Sequence, residues 1–251
     1  MFTKVKTPRE IEAMRESGRM LGHVLQVIKE NVEPGSTGRD MSQIARRELK
    51  ALGGKPAFFG YDGFPDVICI SINDEVVHGI PNDEVFEAGD LVGFDFGVDY
   101  KGMITDAAFT AIIGGTGSKE DMAMVEATKR SLDAAIRVIK HGVKVGDIGA
   151  AVQKVLEPGG YGIVEDLVGH GVGHYVHEGP DIANKGKAGT GTELLAGMTI
   201  AVEPMATLGT HKVVVDPDGW TIRTKDGSRS AHFEHTILIT RNGAEVLTLL
   251  N

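Results

Sequence analysis

Leu91-Val92-Gly93-Phe94-Asp95-Phe96-Gly97-Val98-Asp99-Tyr100-Lys101-Gly102-Met103-Ile104-Thr105-Asp106 is the stretch from which the fold of this 251-residue chain can be read. Residues 91–98 and 103–113 are rich in β-branched, aromatic and other apolar side chains, and Asp99-Tyr100-Lys101-Gly102 between them has the chemistry of a tight turn. The stretch predicts an antiparallel hairpin. Folded about the centre of that turn, it sets Asp95 directly opposite Asp106. Opposed residues share a face with Cβ atoms ~4.5–5.5 Å apart, and like charges so placed destabilise a sheet. Three arrangements relieve the pair: another register, a shared proton, or a cation between the carboxylates. The rest of the chain favours the cation.

Upstream, Thr7-Pro8-Arg9-Glu10 is a capping box with proline at the first helical position. Ile11, Met14, Gly18, Leu21, Leu25 and Ile28 recur at helical spacing and give one buried stripe, ended by Pro34-Gly35. A second helix covers about 39–52 and stops at Gly53-Gly54; 67–72 reads as a strand turning at Asn73-Asp74. Downstream of the hairpin, Ser118 with Asp121 caps a helix running to about Lys140, and Asp147 caps another that ends at Pro158-Gly159-Gly160. Helix, glycine break, short helix, Gly-Gly and strands thus occur twice, at an offset of about 107 residues, far too long for a solenoid repeat. The order predicts a duplicated α+β unit, about 7–115 and 116–251, folded into one domain over 1–251 with an internal pseudo-twofold. Functional groups from both halves are then expected to meet between them. After Gly160 the chain is strand- and loop-rich, with strands expected at 198–203 and 231–240.

Composition narrows the function. A net charge of −9 argues against nucleic acid as the main partner. Cys69 is the single cysteine, so no internal disulfide is available, and the cytoplasm is the expected location. No apolar run approaches the ~18 residues of a membrane span, and the first residues lack the apolar core of a signal peptide.

Four carboxylates stand within apolar strand sequence: Asp95, Asp106, Glu203 and Glu234. One alone reads as an edge residue on a solvated face. Four, together with the glycine-flanked His170, read as a cluster, because carboxylates are rarely buried unless paired or metal-bound. Four negative charges match two divalent ions, and oxygen-dominated ligation with one imidazole suits Mn²⁺, Fe²⁺, Co²⁺ or Zn²⁺. Such a pair of ions activates water for hydrolysis. His170 and His174 have zinc-helix spacing, but the glycines at 169, 171 and 173 oppose a helix, and no His-Glu-x-x-His occurs. His78 follows a strand; a lone histidine there is more often structural than catalytic, so spacing leaves it open. Gly114-Gly115-Thr116-Gly117 lacks the lysine of a P-loop, and Cys69 reads as a small buried hydrophobe.

Residues 71–81, Asp95 through Asp106, Gly169-His170-Gly171-Val172-Gly173 to His177-Glu178, 197–205 with Glu203-Pro204-Met205, and Phe233-Glu234-His235-Thr236 resemble type I methionine aminopeptidase over essentially the whole chain. The resemblance implies the pita-bread fold, a pseudo-twofold antiparallel sheet covered by helices. It implies hydrolytic removal of the initiator methionine by a dinuclear divalent-metal centre with a bridging water. Asp95, Asp106, His170, Glu203 and Glu234 match the five metal ligands, with Asp106 and Glu234 bridging. His78 and His177 match the substrate-contacting histidines, and Glu203 the proton shuttle. Tyr61 and Trp220 match aromatic positions of the methionine pocket; Phe58, Phe64 and Val176 depart from the pattern of some members but keep the pocket apolar. The implied partners are peptides and nascent chains beginning with methionine, met by a monomer of the short bacterial form; contact with the ribosome is left open. Two other readings remain: an X-Pro aminopeptidase or dipeptidase of the same fold, and a non-catalytic relative acting as a binding module.

Overall fold

In the computed structural model of the chain, residues 1–249 are described. Two helix pairs flank one large sheet. Helix α1 (Pro8–Asn31) starts from the predicted capping box: the Thr7 hydroxyl accepts from the Glu10 N–H and the Glu10 carboxylate accepts from the Thr7 N–H. Its buried stripe includes Met14, Gly18, Leu21, Leu25 and Ile28. A Cβ on Gly18 would lie 2.2 Å from the Leu247 carbonyl oxygen, and one on Gly22 2.3 Å from that of Leu249. The helical stripe thus contains a notch for the backbone of residues 247–249. Helix α2 (Gly38–Leu52) is closed by Gly53, whose left-handed φ of 79° suits glycine.

Helix α3 (Lys119–Val138) starts from Ser118, whose hydroxyl accepts from the Asp121 N–H. It ends two residues before Lys140, because Ile139 is already extended. Helix α4 (Val145–Leu156) corrects one expectation: its N-cap is Lys144, not Asp147. Asp147 lies three residues on and accepts from the Lys144 N–H at 2.9 Å, the half of a capping box that reaches back. The second helix of each pair opens in the same way. Thr37 before α2 makes an isolated antiparallel bridge to Val85, and Lys144 before α4 makes one to Glu193.

The sheet contains β1 (Ile68–Ile72), β2 (Leu91–Tyr100), β3 (Met103–Ile112), β4 (Gly169–Gly171), β5 (Glu178–Ile182), β6 (Thr199–Val202) and β7 (Glu234–Ile239). Across the sheet the order is β2-β3-β7-β6-β4-β5, and β1 pairs with β2 at one edge. All pairings are antiparallel. The predicted hairpin is β2–β3, but its register differs from the expected one. The loop is the two residues Lys101-Gly102, with φ of 54° and 77°, and Tyr100 faces Met103. Positive φ at both loop positions matches the twist of the strands, so the pairing shifts. Asp95 faces Ala108, and Asp106 faces Gly97. Because the shift is even, both carboxylates remain on the same face, now as diagonal neighbours.

The expected strand at 231–240 is broken at Phe233, between Ser230–His232 and β7. The break mirrors the end of β6 at Val202, before Glu203-Pro204; Phe233 N–H donates to the Pro204 carbonyl across it. Beyond the two breaks, Met205–Thr207 pairs with Ser230–His232 in a small separate sheet. The apolar core has two parts. One is formed by α1, α2 and β1–β3, around Phe86, Phe94 and Phe96; the other by α3, α4 and β6–β7, around Met124, Ile148 and Ile200. Phe233 packs against both.

Candidate metal centre

Strand register brings the five predicted ligands to one face of the sheet. Asp95 faces Ala108 on β3, and Ala108 faces Glu234 on β7. Two carboxylates thus flank a methyl group, in a row across three strands. Asp106 lies two residues from Ala108 on the same face. His170 faces Ala201 on β6, and Glu203 follows two residues later on that same side. Gly169 and Gly171 are dictated by close approach: a Cβ on Gly169 would meet the Ala201 carbonyl oxygen at 2.4 Å, and one on Gly171 the Gly179 carbonyl oxygen at 2.6 Å.

Atoms of Asp106, His170 and Glu234 lie within 4.8 Å of one another, and all three residues are buried. His170 Nε2 is 3.4 Å from Glu203 Oε1, while its Nδ1 is 2.9 Å from the Gly171 carbonyl oxygen. Asn184 Nδ2 donates to the Glu203 carbonyl at 3.1 Å and fixes the backbone there. The Thr236 hydroxyl accepts from the Asp106 N–H and donates to its carbonyl, both at 2.8 Å, tying β7 to β3 at the site.

The donor set is incomplete without a cation. Asp95 Oδ1, Asp106 Oδ1 and Glu234 Oε1 are buried and have no hydrogen-bond partner among the described residues. Burial raises the pKa of Asp95 to about 7. Burial and then mutual repulsion push Asp106, Glu203 and Glu234 well above the ordinary carboxylate range. Protein alone can relieve such a cluster only by protonation. Cations relieve it with every carboxylate ionised. His170 is held neutral, its pKa lowered to about 3 by burial and then by nearby His177, and a neutral imidazole is a metal ligand. Residues and charge therefore fit divalent ions bound mainly by oxygen.

A cleft opens onto this face. It is lined by Phe58, Tyr61, Phe64, Cys69, Val77, Val176 and Trp220, by the five ligands at its base, and by His78 and His177. Gly97, opposite Asp106, makes room for the wall: a Cβ there would meet the Phe58 ring at 2.6 Å. Phe64 and Trp220 pack edge to face, with centroids 5.1 Å apart. Phe58, Phe64, Tyr61, Val176 and Trp220 all belong to one apolar cluster, so the departures at 58, 64 and 176 keep the wall hydrophobic. His177 stands at the mouth; its Nδ1 is 3.0 Å from the Tyr61 hydroxyl, and its ring is 4.3 Å from that of His170. Burial lowers its pKa, opposed by the Asp62 charge. His78 has a left-handed φ of 61°, and burial followed by His177 lowers its pKa to about 4. Gly79, next to it, is forced by the Ile70 carbonyl oxygen, 2.2 Å from where a Cβ would lie.

His174 is not part of the centre. Its Nε2 meets Glu10 Oε1 at 2.8 Å, away from His170, as expected once a helix at 170–174 is excluded. Cys69 is buried as expected, but in the cleft wall. Two neighbours of the centre were not singled out by the sequence. Val77 is an ordinary strand residue with no distinguishing signal. His232 had one: it shares a strand face with Glu234. Its Nε2 is 3.8 Å from Glu203 Oε2 and 4.0 Å from Glu234 Oε2.

Comparison with known proteins gives the family. Residues 12–241 match metallopeptidase family M24. The chain is 44% identical to a methionine aminopeptidase of Aquifex aeolicus, over the full length of both. It is 40% identical to methionine aminopeptidase 1 of Bacillus subtilis, over 97% of this chain and 98% of that one. A crystal structure of methionine aminopeptidase from Thermotoga maritima superposes with a TM-score of 0.97 at 45% identity, covering 99% of this chain and all of that one. Prolidase from Pyrococcus furiosus shares the fold at TM-score 0.77 and 25% identity, with 65% of its length covered. The chain has the pita-bread fold and belongs to metallopeptidase family M24, among the methionine aminopeptidases.

Proposed function

We propose that this protein removes the N-terminal methionine from peptides and nascent chains by hydrolysis, using two divalent ions held by Asp95, Asp106, His170, Glu203 and Glu234. The observation that carries this reading is the row of buried carboxylates with unpartnered oxygens at the base of an apolar cleft. Each ligand comes with its backbone fixed by strand pairing or by a hydrogen bond, as a preorganised site requires. Asp106 and Glu234, which offer atoms within 4.8 Å of each other and of His170, would hold the ions together with the other three residues. Mn²⁺, Fe²⁺, Co²⁺ and Zn²⁺ all suit the donors. When bound, the ions supply Lewis-acid polarisation of the scissile carbonyl and activation of water.

The chain's own side chains do the rest. Glu203 takes the proton from the attacking water and delivers it to the departing amine as the C–N bond breaks. The Tyr61 hydroxyl can donate to His177 Nδ1, which leaves Nε2–H of His177 to donate to the oxygen that gains charge. His78 contacts the scissile amide. Phe58, Phe64, Tyr61, Val176, Trp220 and Cys69 surround the first side chain of the substrate, and the polarisable thioether of methionine packs well against aromatic rings.

We also infer that the domain is a duplicated unit divided near residue 115, which the equivalent bridges at Thr37 and Lys144 support. It acts as a cytoplasmic monomer. Protein loaded with Mn²⁺ or Co²⁺ is expected to release methionine from Met-Ala-Ser faster than it cleaves any X-Pro peptide. Faster X-Pro cleavage would transfer the assignment to the prolidase branch of the fold. No cleavage of either by folded, metal-loaded protein would leave only a binding role.

A further inference from the structure

Among the described residues, His232 is a titratable group that faces the centre and that the proposed chemistry does not use. Its side chain is 4% exposed, and Nε2 has no hydrogen-bond partner among the described residues. Its backbone is held on both sides. The N–H donates to the Thr110 hydroxyl, and that hydroxyl donates to the His232 carbonyl, each at 2.9 Å. Met205 pairs with it from the other strand. His232 sits beside the paired strand breaks that turn Glu203 and Glu234 into the site. Its Nε2 faces one oxygen of each, at 3.8 and 4.0 Å, just beyond hydrogen-bond reach.

Glu203 is thus bracketed. His170 Nε2 lies against Oε1 and His232 Nε2 against Oε2. A carboxylate that must both bind an ion and relay a proton works only if its plane is fixed. Of the two imidazoles beside it, His170 is itself assigned as a ligand, which leaves His232 to fix that plane from outside the ligand set. With Nε2 facing two acceptors and no donor, the form protonated at Nε2 is the one that finds partners.

We propose that His232 is a positioning residue of the metal centre, whose Nε2–H engages Glu203 and, alternately, Glu234, and so sets which carboxylate oxygen faces the ion. This rests on the reading of the centre given above. Partners of this kind outside the ligand shell typically change metal affinity or activity by about 10–100-fold when removed.

The test compares His232→Gln, His232→Asn and His232→Leu. A glutamine amide nitrogen reaches roughly the place of Nε2, an asparagine amide stops near Nδ1, and leucine only fills space. Wild-type protein is first shown to bind Mn²⁺ calorimetrically and to release methionine; failure there would count against the centre itself, before any variant is read. Given that, His232→Gln is expected to stay within about 3-fold of wild type in Mn²⁺ affinity and kcat. His232→Asn and His232→Leu should each lose about 10–100-fold in Mn²⁺ affinity, with kcat falling more than KM changes. Equal behaviour of all three variants, whether all intact or all impaired, would overturn the proposal. A second measurement needs no variant: nitrogen-15 NMR of histidine-labelled, Zn²⁺-loaded wild type should find His232 protonated at Nε2. An unprotonated Nε2 bound directly to the ion would make His232 a ligand and refute the positioning role.

Discussion

Asp106 is 3% exposed, yet its Oδ1 has no hydrogen-bond partner among the described residues. Leaving a buried carboxylate half-satisfied costs several kcal/mol unless a cation completes it. Replacing it by asparagine removes the charge while nearly keeping the shape. Asp106→Asn is therefore expected to lower kcat/KM by two or more orders of magnitude and to weaken Mn²⁺ uptake, measured by steady-state kinetics and by metal content after dialysis. His177 differs, since it stands at the mouth and is tethered to the Tyr61 hydroxyl rather than to a carboxylate. His177→Ala should cut kcat by about 10²-fold, the cost of one lost oxyanion donor, with metal content unchanged. A metal-free His177→Ala protein would show that ligand and substrate roles have been divided wrongly.

At the scale of elements, the turn that carries His177 is held from below. Glu178 Oε1 accepts the N–H groups of His174 and Tyr175 at 2.7 and 3.0 Å, and Oε2 meets Lys6 Nζ at 3.4 Å. The Lys6 and Glu178 side chains are 0% and 2% exposed. Burial raises the pKa of Glu178, but Lys6 and the donated hydrogen bonds bring it below its ordinary value. The pair joins the segment before α1 to the 174–178 turn, where Thr3 N–H also donates to the Gly179 carbonyl at 2.6 Å. Glu178→Ala would strand a buried ammonium and is expected to cost about 3–5 kcal/mol in a urea titration. Glu178→Ala should also lower kcat through His177.

The hairpin, both long helices and the capping box of α1 were legible because each is written locally, in periodicity and in cap or turn residues. The β2–β3 register was not. A loop of Lys101-Gly102 and one centred on all four turn residues differ by a shift that leaves the hydrophobic faces unchanged, so apolar pattern cannot separate them. The break at Phe233 was hidden for a different reason. Phenylalanine favours strands, and the break answers the one at Glu203-Pro204, between the two neighbouring strands. The ligand set was readable because charged residues inside apolar strands are conspicuous. His232 was passed over because an alternating polar residue beside Glu234 looks like an ordinary member of a strand face. The two-residue gap between those side chains became a shared centre only once the break was known.

For the whole molecule, the carboxylate cluster links stability to pH and metal. Unfolded, these groups ionise near pH 4. Folded and metal-free, burial lifts Asp95 to about 7 and the other three well above their ordinary range. Between those limits the folded chain holds more protons than the unfolded one, so stability from this cluster is present at acid pH and is lost as pH rises. Bound cations neutralise the cluster and remove that loss. The Tm difference between Mn²⁺-loaded and chelated protein should therefore widen from pH 5 to pH 7.5 in calorimetry; a constant difference would mean that the carboxylates are not jointly buried in solution.

Everything turns on whether side chains from β2, β3, β4 and β7, with Glu203 beyond β6, converge on bound dications. An anomalous-difference map from Mn²⁺-loaded crystals measures this directly. Two peaks, enclosed by Asp95, Asp106, His170, Glu203 and Glu234 with Asp106 and Glu234 touching both, are the predicted result. A map with no peak at that row, or with manganese only elsewhere on the chain, would contradict it.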